Sequence, residues 1–219
     1  MPSIATTGHR TWAALSIVAV VLNAHAGSDV QPVLDLPDIS QWERQEFKGI
    51  TRYEIKTSGN RVYLHATSNG TASGLVRKIS VDLAKTPYIN WSWRVNQVFS
   101  GIDETHREGD DYPARIYIVI SGGLFFWRTR AINYVWASQQ PIGSVWPNAY
   151  AHQATMIAIR SGSTNTGSWV EEKRNVLEDV KRYIGEDVMR IDAVAIMTDT
   201  DNTGKSGSAD YGNIYFSSY

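Results

Sequence analysis

The segment that decides the fold reads IDAVAIMT at residues 191–198 and continues as DTDNTG at residues 199–204. Its first half is an apolar run rich in β-branched residues, which is typical of a buried strand. Its second half places carboxylate, hydroxyl and amide oxygens directly before a glycine, as a polar turn does. We therefore predict a core strand that ends in a polar loop.

The same pattern recurs along most of the chain. Short runs rich in β-branched and aromatic residues alternate with turn signals, such as SGN at 58–60 and SNG at 68–70. Many short strands with regular turns favour an all-β fold, a β-sandwich or jelly roll, over a βαβ fold. The predicted strands are 51–56, 61–67, 75–81, 88–95, 115–120, 131–137, 154–160, 191–198 and 213–217.

One segment breaks the β pattern. Residues 169–184 read WVEEKRNVLEDVKRYI, in which Val176, Val180 and Ile184 recur at helical spacing before Gly185. We predict a single helix over about 169–184 that crosses one edge or end of the sandwich.

Residues 1–26 have the pattern of a cleaved secretory signal peptide. A start with one arginine precedes the apolar run at 12–22, and AHA at 24–26 provides a small-residue cleavage site. We expect cleavage after Ala26, a periplasmic or secreted protein, and one β-sandwich domain over 27–219. An uncleaved N-terminal anchor is the alternative, and no later segment is apolar enough to span a membrane.

Composition narrows the function classes. The chain has no cysteine, so we expect neither disulfides nor thiol chemistry. Its formal net charge is −1, and loss of Arg10 with the signal peptide makes it −2. Such a nearly neutral balance provides no general attraction for nucleic acid, which we exclude as a partner. The histidines lack zinc-ligand spacing, and no phosphate loop or nucleophile elbow occurs in the sequence.

Several blocks of sequence resemble the bacterial family named domain of unknown function 3047. The blocks are WSWRV at 91–95, GDDYPARIY at 109–117, INYVW at 132–136, EKRNV at 172–176, IMTDTDNTG at 196–204 and ADYGNI at 209–214. The resemblance implies an exported bacterial protein with a jelly roll similar to carbohydrate-binding modules. It supplies no catalytic residues.

A cluster of carboxylates precedes the strand predicted at 115–120. We select Glu108, Asp110 and Asp111 from it as candidate catalytic residues. Neighbouring carboxylates separate each other's pKa values, as general acid and base catalysis requires. The alternative is a solvated loop whose carboxylates pair with nearby arginines.

Alternation along the strands predicts one polar sheet face. Arg94, Arg115 and Asn133 lie opposite the apolar residues of their strands, as Asn90 does, and Tyr117 lies beside them. We interpret these residues as the lining of a concave binding face. An ordinary solvent face with cross-strand pairs is the alternative.

Two tryptophans and two helix residues complete the predicted ligand site. Indole faces suit the apolar C–H faces of sugar rings, so we select Trp136 and the loop residue Trp146. Arg174, next to Asn175, has a fork of donors suited to a carboxylate of the protein or of an acidic sugar, while a clamp between helix and sheet is the alternative. The complete set is Arg94, Asp110, Asp111, Arg115, Asn133, Trp136, Trp146, Arg174 and Asn175.

The loop at 199–204 offers oxygen ligands to a hard cation. Asp199, Asp201 and Thr203 stand at alternate positions, as in the first half of a calcium loop, which makes calcium the candidate cofactor. The downstream glutamate of an EF-hand is missing. A polar turn that bonds its own backbone is the alternative.

Three functions remain open from the sequence. We favour a non-catalytic exported jelly roll that binds a glycan or cell-envelope polymer. The first alternative is a polysaccharide hydrolase or lyase that uses the loop carboxylates as acid and base. The second is a periplasmic assembly or interaction protein, since a sandwich fold hosts unrelated functions.

Overall fold

The computed structural model describes residues 29–123 and 128–219. These residues form thirteen strands, one α-helix and one 3₁₀ helix at Arg107–Gly109. The predicted signal peptide at 1–26 lies outside the described residues and stays a prediction. The bounds are β1 Val30–Leu34, β2 Glu43–Lys48, β3 Arg52–Ser58, β4 Arg61–Asn69, β5 Ala72–Asp82, β6 Tyr88–Val95, β7 Ala114–Ile120, β8 Arg130–Ala137, β9 Val145–Pro147, β10 Ala154–Ser161, β11 Val170–Asn175, α1 Val176–Tyr183, β12 Arg190–Asp199 and β13 Ser206–Ser217.

The described strands form two sheets. In the six-stranded sheet the order is β11-β6-β13-β4-β3, and β1 also pairs with β13. In the seven-stranded sheet the order is β2-β5-β12-β7-β8-β10-β9. Strands β8 and β10 run parallel, and the other described pairs are antiparallel.

The core lies between the two sheets. In β7, Ile116 and Ile118 are fully buried on the face that meets the opposite sheet. Trp91 of the six-stranded sheet stacks on Tyr134 of the seven-stranded sheet, with ring centroids 5.7 Å apart. Apolar residues of both inner faces thus form one shared core, as in a sandwich. The prediction of an all-β jelly-roll sandwich is confirmed.

A second, smaller apolar layer covers part of the outer face of the seven-stranded sheet. Trp146 of β9 lies with Tyr112, Val135 and Met156 in this layer, and all four are buried. Two polar residues that point outward from this sheet, Arg115 and Asn133, are buried as well.

Each predicted strand is present, and four strands were not predicted. β13 begins at Ser206, earlier than expected, because its first half pairs with β4. The missed strands β1, β2 and β9 are short, and every residue of β2 is exposed. An exposed edge strand needs no apolar alternation, so its sequence carries no period-two signal.

The predicted helix over 169–184 is wrong in its first half. Residues Val170–Asn175 form β11, which pairs with β6, and the helix begins at Val176. The Asn175 side chain accepts a hydrogen bond from the Glu178 N–H, which caps the helix. The apolar stripe was nevertheless correct, since Val176 and Val180 are fully buried. Among residues 29–123 and 128–219, no helix has the length and apolar character that a membrane crossing requires.

Candidate functional site

A pocket of about 510 Å³ opens on the outer face of the seven-stranded sheet. Its volume lies within the range of roughly 300–1,000 Å³ that is typical of ligand sites. Strands β7, β8 and β12 contribute its floor, and the loops before β7, between β9 and β10, and after β12 contribute its walls. The lining residues are Phe47, Lys48, Ala72, Asp110, Arg115, Tyr117, Asn133, Asn148, Tyr150, Ala151, Ala154, Met197, Asp199, Asp201 and Asn202.

Strand register places the floor residues side by side. Tyr117 of β7 pairs with Asn133 of β8, and Arg115 pairs with Met197 of β12. Side chains alternate along a strand, and Ile116 and Ile118 of β7 point into the core. Arg115 and Tyr117 therefore point outward, on the same face as Asn133 and Met197. The structure therefore brings together Arg115, Asn133 and Tyr117 of the predicted polar face, whereas Arg94 and Asn90 belong to β6 of the other sheet.

Arg115 forms a buried ion pair with Asp199 at the edge of this floor. The Arg115 Nε donates to Asp199 Oδ1 at 2.8 Å, and its Nη2 contacts the other carboxylate oxygen. Nη2 also donates to the Asp110 backbone carbonyl at 3.1 Å. Arg115 is 4% exposed and Asp199 is 1% exposed. The guanidinium thus joins β7 to the end of β12 and to the loop at Asp110, and protein acceptors already engage it.

Asp110 faces the pocket and is held by an amide. The Asn148 Nδ2 donates to both Asp110 carboxylate oxygens, at 3.0 and 3.1 Å. Burial raises the pKa of Asp110 above its ordinary value, although the positive charge of Arg115 opposes this shift. Gly109 allows the loop before β7 to pack closely against Asp103, because a Cβ at position 109 would lie 2.3 Å from the Asp103 carbonyl oxygen.

Asp111 anchors the loop that follows β12 and does not line the pocket. Its carboxylate accepts from the Asn202 N–H at 3.1 Å and from the Thr203 N–H at 2.8 Å. Oxygens of Asp111, Asp199 and Asp201 lie within 4.8 Å of one another. Burial, followed by the negative charge of Asp111, raises the pKa of Asp201. Asp111 thus joins the two predicted aspartates, Asp199 and Asp201, in one acidic cluster.

Thr203, the other predicted metal ligand, forms hydrogen bonds within and beside its own loop. Its N–H donates to Asp111, and its side-chain oxygen accepts from the Lys205 N–H at 3.3 Å. The alternative of a polar turn, with side chains that bond nearby backbone groups, describes this part of the loop.

Two aromatic side chains flank the mouth of the pocket. Phe47 is 69% exposed and Tyr150 is 53% exposed, and both line the opening. The Tyr150 hydroxyl donates to Asn202 Oδ1, and the Arg107 guanidinium lies 5.1 Å from the Tyr150 ring centroid. Sequence analysis missed both aromatics. An isolated phenylalanine within the polar run ERQEFK was the one available signal for Phe47.

Three predicted ligand-binding residues of the strands lie elsewhere. Arg94 belongs to the six-stranded sheet, where it pairs with Asp210 at 2.7 Å. Trp136 is buried in the core, and its Nε1 donates to the Gly162 carbonyl. Trp146 is buried in the second apolar layer, so its ring face is not open to a ligand, in contrast to what was expected of a loop tryptophan. None of these three residues lines the pocket, contrary to the prediction that they share one ligand site.

The three remaining predictions also lie outside the pocket. Arg174 binds Asp179 through two hydrogen bonds of 2.6 and 2.7 Å, and Tyr134 donates to the same carboxylate at 2.7 Å. This arrangement is the clamp between helix and sheet that was the alternative. Asn175 caps α1, and Glu108 is exposed in the 3₁₀ helix.

A larger pocket of about 650 Å³ lies on the outer face of the six-stranded sheet. Its side chains include Asn90, which donates to Ser217 Oγ at 2.9 Å, and Glu172, which binds Arg160 at 2.6 Å. These polar groups already have partners within the protein. We select the smaller pocket because its lining includes Asn133, whose amide oxygen and nitrogen both lack a hydrogen-bond partner among the described residues.

The fold and the pocket define a class of protein. The class is a two-sheet β-sandwich with an aromatic-flanked pocket, lined by apolar and polar residues, on the outer face of one sheet. The chain belongs to the family described as Protein of unknown function (DUF3047), whose sequence model matches residues 40–215. This match confirms the family resemblance. No curated protein sequence matches the chain.

Several solved structures are similar to this chain at low sequence identity. A family 11 carbohydrate-binding module from Clostridium thermocellum, in complex with a β-1,3-1,4-mixed-linked tetrasaccharide, is 14% identical, with 85% of this chain and 94% of that chain covered and a TM-score of 0.45. The xyloglucanase domain of NopAA from Sinorhizobium fredii, in complex with cellobiose, is 11% identical, with coverages of 87% and 97% and a TM-score of 0.44. A cellulase derived from Cel12A of Rhodothermus marinus is 14% identical, with coverages of 85% and 99% and a TM-score of 0.43.

Proposed function

We propose that this protein is exported and binds a glycan or cell-envelope polymer, without catalysis, in the pocket of the seven-stranded sheet. The observation that carries the proposal is the pairing of two exposed aromatics, Phe47 and Tyr150, with a polar wall. Sugar rings present apolar C–H faces that pack on aromatic rings, and hydroxyls that bond amides and carboxylates. The signal-peptide pattern at 1–26 supports export.

A glycan array with purified protein tests the proposal. We expect binding by the wild-type protein and a loss of roughly fivefold or more in affinity for Tyr150→Ala, because a well-packed aromatic contributes about 1 kcal/mol or more to an interface. Tyr215→Ala is the matched control, since Tyr215 is a partly exposed tyrosine of the opposite sheet. Equal loss in both variants, or no glycan bound by the wild-type protein, would contradict the proposal.

A hydrolase or lyase is the second candidate function, and one observation favours it. Asp110 and Asp201 line the same pocket, and the pKa of each is raised by burial. Carboxylates with raised pKa values suit general acid catalysis. Against this role, both oxygens of Asp110 already accept from Asn148. Release of reducing ends from a bound glycan, abolished in Asp110→Asn or Asp201→Asn, would establish catalysis.

The calcium hypothesis now concerns Asp111, Asp199 and Asp201. Their oxygens are close enough to share one cation, and carboxylates are the ligands that calcium prefers. Arg115 already neutralises Asp199, so a cation would compete with a guanidinium. If calcium is bound, EDTA lowers the melting temperature and added calcium restores it. An unchanged melting temperature in EDTA would reject the hypothesis.

A further inference from the structure

Asn133 is a buried amide without a hydrogen-bond partner inside the protein. It is 1% exposed, and neither its Oδ1 nor its Nδ2 has a partner among the described residues. Asn133 belongs to β8, whose backbone pairs with β7 on one side and β10 on the other. The part of Asn133 that lines the pocket is therefore its side chain. A buried amide that lacks partners reduces stability, and native proteins rarely keep one without a reason.

The surroundings of Asn133 identify the kind of group that would satisfy it. An asparagine amide presents one acceptor oxygen and two donor hydrogens side by side. Its neighbours across the strands are Tyr117 and Met156, and the Tyr117 hydroxyl contacts the Met197 sulfur at 3.4 Å. A ligand group that both donates and accepts would therefore complete the pocket floor. Hydroxyl and acetamido groups of sugars have this property.

The charges of the pocket disfavour an acidic ligand. Its described lining contains the carboxylates of Asp110, Asp199 and Asp201 and the cations Lys48 and Arg115. Arg115 is engaged by Asp199, and the Lys48 Nζ donates to the Asp201 carbonyl at 2.8 Å. The three lining carboxylates outnumber the two cations, and one of those cations is paired with Asp199, so a ligand carboxylate would meet a net negative charge in a partly buried site.

We propose that Asn133 selects the ligand, by hydrogen-bonding a hydroxyl or acetamido group of an uncharged sugar residue. This inference rests on the proposed glycan-binding function and specifies its ligand class. A site with a buried amide discriminates strongly, because a ligand without the matching group leaves the amide unpaired. It also means that the protein keeps Asn133 at the expense of stability.

Titration calorimetry with three tetrasaccharides tests this assignment. Cellotetraose offers hydroxyls, chitotetraose adds acetamido groups, and tetragalacturonic acid adds carboxylates. We expect one of the neutral probes to bind the wild-type protein most tightly, and Asn133→Leu to bind it about tenfold or more weakly. We also expect Asn133→Leu to raise the melting temperature, because an apolar side chain replaces an unpartnered amide.

Asn90→Leu is the matched control. Asn90 is a strand asparagine of the other sheet with hydrogen-bond partners, so its loss lowers the melting temperature and leaves binding unchanged. If Asn133→Leu fails to fold, Asn133→Ala provides the same comparison. Unchanged affinity in the Asn133 variant, or tightest binding of the acidic probe, overturns the inference and leaves glycan binding intact. If the wild-type protein binds no probe here and no glycan on the array, both proposals fail together.

Discussion

At the scale of single residues, Arg115 and Asp199 connect the floor of the pocket to its walls. Both are buried, and their hydrogen bonds link β7, β12 and the loop at Asp110. Sequence analysis assigned Arg115 to a ligand, because its position opposite the apolar face of β7 could be read from alternation. Its partner could not be read, since Asp199 is 84 residues away along the chain.

We predict that Arg115→Met destabilises the protein by about 3–5 kcal/mol, because it leaves the buried Asp199 carboxylate without its cationic partner. The measurement is the free energy of unfolding from urea denaturation. The double variant Arg115→Met/Asp199→Leu removes both charges, and we expect it to recover part of the loss. A single-variant loss below about 1 kcal/mol, typical of an exposed pair, would show that the ion pair is solvated.

Asp110 gives the protein a distinct pH dependence. Its folded-state pKa is raised by burial, so the folded protein binds the proton more tightly than the unfolded chain does. Stability therefore falls as pH rises from the ordinary carboxyl value of 3.8 through the raised value. We predict that Asp110→Asn gains stability relative to the wild-type protein across that window. Denaturation at a series of pH values measures this difference.

Asp103→Asn is the control with the opposite sign. Hydrogen bonds from Thr105 lower the pKa of Asp103, so its contribution to stability is present above 3.8 and is lost as pH falls through the lowered value. The two variants should therefore diverge in opposite directions as pH rises. Parallel curves would contradict the assigned pKa directions.

At the scale of elements, the junction of β11 and α1 shows what a helical period can predict. The spacing of Val176 and Val180 identified the buried stripe of the helix. It could not exclude residues 170–175, since those polar residues fit a helix surface as well as an edge strand. Pairing with β6 decides their structure, and that partner lies about eighty positions earlier in the chain.

We predict that Asn175→Ala lowers the free energy of unfolding by about 1 kcal/mol, because the helix loses its N-cap. Glycan binding should be unchanged, since Asn175 lies outside the pocket. Asn175→Ser keeps a capping oxygen and should retain most of the stability. Weaker glycan binding by Asn175→Ala at full stability would instead support its predicted role as a ligand-binding residue.

At the scale of the whole molecule, the sequence predicts the sandwich but not the distribution of its strands between two sheets. Arg94 and Arg115 alternate with apolar residues in the same way, so both were assigned to one face. Alternation defines the side of a strand that faces the core, and strand pairing defines the sheet to which it belongs. Long-range pairing places Arg94 in the six-stranded sheet and Arg115 in the seven-stranded sheet. The polar residues therefore divide between two opposite outer faces.

The most direct test of the proposed site locates a bound glycan on one of those faces. Isotope-labelled protein is titrated with the glycan that binds best on the array, and backbone amide shifts are followed by NMR. We predict that the largest changes occur at Asp110, Asn133, Asn148, Tyr150 and Asn202, around the pocket of the seven-stranded sheet. Changes concentrated at Asn60, Ser92, Lys173 and Asn213, around the pocket of the six-stranded sheet, would contradict this account.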